Sequence, residues 1–364
     1  MPDTHARRRT ALRASLAARD LPAALLTRGV NVRYLTGFTG SHGALLVTLD
    51  GAEDPAGGAV LATDGRYVEQ AGRQAPDVAL VVDRQVAAAL VARAHREGLR
   101  RVGFEAHQVS VELHAQLARE GVELVPLGPV VEDLRVVKDE EELDLLRRAC
   151  AATDAAFADL VGRLAPGRTE RAVARTLEDL LRDHGADAPA FPSIVAAGPH
   201  SAVPHHEPTD RPLAAGDLLK LDFGARVGGY HADMTRTVVL RRAPAGWQRE
   251  VYELVAAAAA TGRGALRAGA AAGEVDAAAR GVVTAAGYGD RFPHGLGHGV
   301  GLEIHEAPLL AAQAPGRLRA RTPVTVEPGV YLPGRGGVRI EDTLLVRDGE
   351  PEPLTTTTRE LLVV

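Results

Sequence analysis

Residues 217–240 read "DLLKLDFGARVGGYHADMTRTVVL", with apolar residues alternating on both sides of a Gly-Gly pair. Alternation interrupted by a glycine turn predicts a β-hairpin, which sets two antiparallel strands side by side. With the turn centred on Val227–Gly228, Asp222 and Asp233 fall directly opposite each other. Cross-strand neighbours have Cβ atoms about 5 Å apart, and like charges at that spacing repel. Either something positive sits between the two acids, or the register differs and they line a solvated edge.

The C-terminal part repeats the device. "TVEPGVYLPGRGGVRIEDTLLV" (325–346) folds back at Pro333–Gly336, and symmetry about Gly334 sets Glu327 opposite Glu341. Arg339 lies two residues from Glu341, hence on the same strand face, where it can orient that glutamate. One guanidinium does not compensate four acids.

Between the hairpins stands "HGLGHGVG" (294–301), followed by His305. His294 and His298 have helical spacing, but glycine costs a helix about 1 kcal/mol per position against alanine. The segment is predicted as strand and turn, with glycines where something approaches the backbone closely. If the fold gathers both hairpins and His298, four carboxylates and one imidazole form a hard cluster suited to two divalent ions such as Mn²⁺, Co²⁺ or Zn²⁺. Such a pair activates water for hydrolysis. On this reading the glycines admit a substrate backbone beside the metal-bearing histidine.

The bulk numbers fit a soluble globular protein. A chain of 364 residues predicts about two domains, and 46% hydrophobic with 24% charged residues is ordinary globular composition. A net charge of −5 offers no basic surface for nucleic acid or anionic lipid. A single cysteine, Cys150, excludes an internal disulfide and a cysteine-rich metal site, and reads as a small core residue. No apolar run approaches the roughly 18 residues of a membrane span. The Arg-rich N-terminus has transit-peptide character but lacks an apolar region and runs straight into the first strand, so a reducing, cytoplasmic location is expected.

Along the chain, helical and strand patterns alternate over the first 125 or so residues, predicting an α/β domain at 1–130. Its strands are expected at 23–27, 43–49, 58–63, "VALVV", "RRVGFE" and "VELVPL", with a turn in "DGAEDPAG" (50–57). "PLGPVVEDLRVVKDEEELDLL" supplies a linker at 131–137, after which Asp139 can cap a helix opened by three glutamates. The second domain, 138–364, begins with helices near 139–162 and 169–184. It continues in strands and turns broken by an Ala-rich helical block at 246–286.

"LLKLDFGARVGGYHADMTRT", "HGLGHGVGLEIHE", "VEPGVY" and "GGVRIED" together resemble the metallopeptidases of the pita-bread fold, which include prolidase (Xaa-Pro dipeptidase) and aminopeptidase P. "NVRYLTGFTGSHG" and "TDGRY" are similar to the creatinase-type N-terminal domain of the same family. The resemblance implies an α/β N-terminal domain on an α+β pita-bread (creatinase/aminopeptidase) catalytic domain, acting on proline-containing di- or oligopeptides, with a homodimer expected. It implies two divalent cations per subunit on Asp222, Asp233, His298, Glu327 and Glu341, with Glu327 also the general base. His205 and His305 match histidines that steady the substrate and the tetrahedral intermediate. His294 matches a residue lining the proline pocket, and Arg339 an arginine supporting the ligands. His206 is expected to point away from the site, His231, on one strand face with Asp233, either to support that ligand or simply to pack, and His42 and His200, among others, to be surface residues.

One departure bears on substrate length. Many prolidases carry an arginine where this chain has Leu309, and there it binds the dipeptide carboxylate. Arg335, or Arg33 and the loop 37–43 ("GFTGSHG") reaching over from a neighbouring subunit, are the replacements considered. The compact "YLPGRGGVRIED" hairpin is similar to that of short prolidases and favours a dipeptidase over aminopeptidase P. A metal-free creatinase-type enzyme, or a non-catalytic peptide-binding relative, would have lost ligands that this chain keeps. Methionine aminopeptidase shares the catalytic fold but usually lacks such an N-terminal domain.

Overall fold

The structure is a computed structural model that describes residues 2–49 and 58–364, so the turn expected at 50–57 lies outside the described residues. The chain divides into two compact units, Met1–Arg135 and Val136–Val364.

The first unit is built on a six-stranded mixed sheet. In spatial order its strands are Ala79–Val82, Ala59–Thr63, Gly43–Thr48, Ala23–Leu26, Arg101–Phe104 and Glu123–Pro126. Ala23–Leu26 is buried at every position, as suits a central strand with both faces covered, whereas Leu80 and Val82 are exposed on an edge strand. The helix Val86–Arg96 turns Ala87, Leu90, Val91 and Ala94 into the core. The expected linker is instead a helix, Val130–Val136, ending at the division between units. Pro129 is tolerated at a helix start, and Val130, Val131 and Val136 are all buried, which an open linker would not achieve.

The second unit holds two helix pairs, each on its own apolar cluster. Asp139 and Glu142 form a reciprocal capping box (3.0 Å each way) that starts the helix Glu140–Val161. Thr169 caps the next helix, Glu170–Asp183. Together they bury Phe157, Leu160 and Leu177 against Leu219, Leu221 and Phe223. The Ala-rich block forms the helices Gly246–Ala265 and Ala272–Ala285, whose Val255, Ala258, Val275 and Ala279 pack with Val324, Val326 and Val338. Cys150 is a buried free thiol.

Both acid-bearing hairpins form, one in a shifted register. Thr235 pairs with Asp222 and Met234 with Phe223, so the turn falls at Gly228–Gly229 rather than Val227–Gly228. Both turn residues have positive φ (54° and 82°), which glycine accepts and valine resists. The slip is two residues, so Asp222 and Asp233 become diagonal neighbours on one face; a slip of one would have separated them. In the second hairpin Gly329 pairs with Arg339 and Leu332 with Gly336, as expected about Gly334.

Candidate metal centre

The two hairpins and the glycine-flanked histidine converge. A cavity of about 230 Å³ is lined by Asp222, Asp233, His298, Glu327 and Glu341 together with His205, His305, Phe191, Ile194 and Ile304. Asp233, His298 and Glu341 present oxygen and nitrogen atoms all within 4.8 Å of one another. His298 Nε2 lies 3.5 Å from Asp233 Oδ2 and 3.4 Å from Glu327 Oε1.

His298 sits on the short strand Gly297–Gly299, between Glu306–Leu310 and Pro323–Val326. The flanking glycines have a reason other than the one expected. A Cβ on Gly297 would lie 2.0 Å from Thr325 O, and one on Gly299 2.3 Å from Ala307 O. They admit the neighbouring strands, not a substrate.

The electrostatics of the cluster call for cations. Asp222, Asp233 and Glu341 are buried, and Asp222 Oδ1 and Asp233 Oδ1 have no hydrogen-bond partner. Burial pushes Asp233 well above the usual carboxylate range, reinforced by Glu341, Asp222 and Glu327. Glu341 is raised by burial and then by Glu327 and Asp222. Glu327 is pushed up to about 8, chiefly by burial, against the pull of Arg339. Burial holds His298 down at about 4, so its ring is neutral. Its Nδ1 meets Gly299 O at 3.0 Å, and a proton placed there by that carbonyl leaves a lone pair on Nε2 aimed at two carboxylates. Lone pairs facing lone pairs are repulsive until a cation sits among them. The donor set, four carboxylates and one neutral imidazole, fits divalent metal ions.

Arg339 supports the cluster differently from the expectation. It pairs with Asp222, not Glu341, and donates to Thr235 Oγ1 (3.0 Å), Tyr331 OH (2.9 Å) and Pro204 O (3.1 Å). Thr235 in turn donates to Glu341 Oε2 at 2.6 Å, so the arginine reaches that glutamate through a hydroxyl.

His294 is not among the residues lining the cavity. Its Nε2 accepts from Tyr331 OH at 2.9 Å, continuing a chain through Arg339 to Asp222. Arg335 also lies outside the lining, exposed, its guanidinium 4.3 Å over the Trp247 ring. The turn that carries it projects into solvent, where a planar cation gains by stacking on an indole. His305 lines the cavity with its ring 4.4 Å from that of His298, and burial lowers its pKa. His231 binds Gly301 O at 3.0 Å.

His206 points away as expected, onto Glu170 at 2.9 Å, and His200, read as a plain surface residue, shares that carboxylate at 2.9 Å. Glu170, Lys220, Thr235 and Tyr331 are the supporting residues that sequence reasoning missed. Only Lys220 left a trace, as one of two lysines in the chain and the one in an otherwise apolar strand. The loop at 37–43, considered above as reaching over to a neighbouring subunit, is tethered within its own unit by Thr39 N to Gln74 Oε1 (2.9 Å), Ser41 Oγ with Tyr67 OH (2.6 Å) and His42 Nε2 with Arg84 O (3.0 Å).

Comparison with known proteins agrees with this geometry. The sequence profile of metallopeptidase family M24 matches residues 144–348, and that of the creatinase/prolidase N-terminal domain matches 8–137. The chain is 42% identical to the Xaa-Pro dipeptidase of Pyrococcus furiosus over 240 residues, 66% of this chain and 69% of that protein. The solved Xaa-Pro dipeptidase from Bacillus anthracis is similar with a TM-score of 0.93 and 35% identity, covering 99% of this chain and 100% of that one. The X-Pro aminopeptidase from Thermotoga maritima gives 0.90 and 31%, covering 98% and 99%. Among the described residues no helix is long and apolar enough to cross a membrane.

Proposed function

The chain belongs to metallopeptidase family M24, with a creatinase/prolidase N-terminal domain on a pita-bread catalytic domain, and on that premise we propose that it hydrolyses the Xaa-Pro bond of short peptides as an Xaa-Pro dipeptidase. The observation that carries the reading is the cavity of four carboxylates around a neutral histidine, with one guanidinium against them. Asp222, Asp233, His298, Glu327 and Glu341 would hold two divalent cations, Mn²⁺, Co²⁺ or Zn²⁺. Bound there, such ions supply the Lewis acidity that polarises a carbonyl and lowers the pKa of water.

The chain's own groups do the rest. Glu327 faces the cavity from beside His298 and is the base that takes the proton of the attacking water. His205 and His305 line the same cavity and can donate to the carbonyl oxygen as charge develops on it. Phe191, Ile194 and Ile304 form an apolar wall suited to a pyrrolidine ring. His294 acts indirectly, through Tyr331 and Arg339.

A second reading, aminopeptidase P, has one observation in its favour. Among the described residues no lysine or arginine lines the cavity, and Leu309, paired with His298 across the ladder, is 60% exposed. A dipeptide's carboxylate then needs a cation from elsewhere, and a homodimer could bring one from a second copy. The single cysteine, a buried free thiol, agrees with the reducing cytoplasm, where we place the enzyme. Kinetics of the Mn²⁺-loaded protein on Xaa-Pro and Xaa-Pro-Xaa separate the readings. Faster turnover of the dipeptide supports the dipeptidase, faster turnover of the tripeptide supports aminopeptidase P, and no hydrolysis of either defeats both.

A further inference from the structure

His205 lines the acid cavity but is exposed and has no hydrogen-bond partner of its own among the described residues, so the backbone that carries it decides where its ring can sit. The backbone is pinned on both sides of it. Just before His205, Lys220 Nζ donates to Val203 O (2.5 Å) and Pro204 O (3.0 Å), and Arg339 donates to Pro204 O (3.1 Å). Just after it, Glu170 accepts from the His206 ring (2.9 Å), Thr209 N (3.0 Å) and Thr209 Oγ1 (2.7 Å). The same carboxylate takes Ala197 N (2.8 Å) and the His200 ring (2.9 Å), so one side chain ties the segment back to the strand Ile194–Ala197.

Glu170 and Lys220 are fully buried, and burying a charge is costly unless it is well paired. Lys220 stands in "LLKL", where an apolar residue would serve the strand, and both its hydrogen bonds go to the two carbonyls preceding His205. Glu170, His200 and His206 also have the make-up of a metal site. A carboxylate offers about four lone-pair sites, however, and this one already receives five donors, with a backbone N–H on each oxygen.

We infer that Glu170 and Lys220 are positioning residues that hold the His205 imidazole over the acid cluster, Glu170 through His206 and Thr209 and Lys220 through the carbonyls of residues 203 and 204. The inference rests on the reading that His205 touches the scissile group. Glutamine cannot replace Glu170, because whichever way its amide turns, an NH₂ group meets a backbone N–H.

The test is a set of double-mutant cycles on the Mn²⁺-loaded enzyme with an Xaa-Pro dipeptide. Glu170→Gln, Lys220→Met and His206→Ala are each measured alone and combined with His205→Ala. Misplacement of a positioned group is expected to lower kcat by about tenfold or more with KM within about twofold, and the loss should vanish once His205 is gone. His206→Ala removes a side chain that is not fully buried and serves if the Glu170 and Lys220 variants do not fold. The same fold-loss with and without His205, or unchanged kcat in the single variants, overturns the positioning role while leaving His205 its part. Wild-type kcat in His205→Ala alone overturns the role of His205 and the inference with it.

Discussion

Glu327 and Glu341 line one cavity from the break between two ladders that share one register. Val326 pairs with Asp342 on one side of the break and Gly329 with Arg339 on the other. The ladders flank the two glutamates, while neither residue belongs to a ladder itself. Glu327→Gln keeps the shape of this pair and removes the base. We expect kcat to fall by at least about 10²-fold with the protein still folded. Undiminished turnover would show that another group takes the proton.

The raised acids make stability depend on pH and on cations together. Asp233, Glu327 and Glu341 hold protons more tightly folded than unfolded, Glu327 up to about 8. Their contribution is present below the ordinary carboxylate range and is lost as pH rises towards about 8 in metal-free protein. A divalent cation should reverse that loss, because it replaces the protons. Thermal unfolding should therefore show a larger rise in Tm on adding Mn²⁺ at pH 8 than at pH 6. An equal or smaller rise at pH 8 contradicts the electrostatic account of the cluster.

Glu170 has the opposite sign. Burial opposes its charge, but donors from Thr209, Ala197 and His206 prevail and hold it down at about 2. Its stabilisation is present above the unfolded value and lost as pH falls through about 2. The Tm difference between wild type and Glu170→Gln should be full at pH 6 and smaller at pH 3. A difference that does not shrink would mean that the carboxylate's charge is not what holds the segment.

Leu309→Arg places a cation on the strand partner of His298. A charge-assisted hydrogen bond is worth about 1.5–3 kcal/mol, or roughly 10- to 150-fold in preference. The ratio of Xaa-Pro to Xaa-Pro-Xaa hydrolysis should rise by about tenfold. If it stays at the wild-type value, the element that reads the substrate's carboxylate lies elsewhere.

What could be read from the sequence was what alternation and turn chemistry determine. The acid pair on the first hairpin survived a wrong turn because a two-residue slip keeps the face, and the second hairpin's register followed from symmetry about Gly334. The partner of Arg339 was out of reach: Asp222 stands 117 residues away and meets it only through the fold. Glu170 was hidden for the same reason, since its donors at Ala197, His200, His206 and Thr209 lie 27 to 39 residues along the chain. The glycines beside His298 were rightly read as close-approach sites, but periodicity does not say what approaches.

Metal stoichiometry tests the central claim most directly. Native mass spectrometry of chelator-stripped protein titrated with Mn²⁺ should show two ions bound per chain, with Xaa-Pro hydrolysis returning as they bind. Asp233→Asn and Glu341→Gln should each take up fewer. Full hydrolysis by protein free of metal, or unchanged uptake of two ions by both variants, would contradict the assignment of these side chains to a two-metal centre.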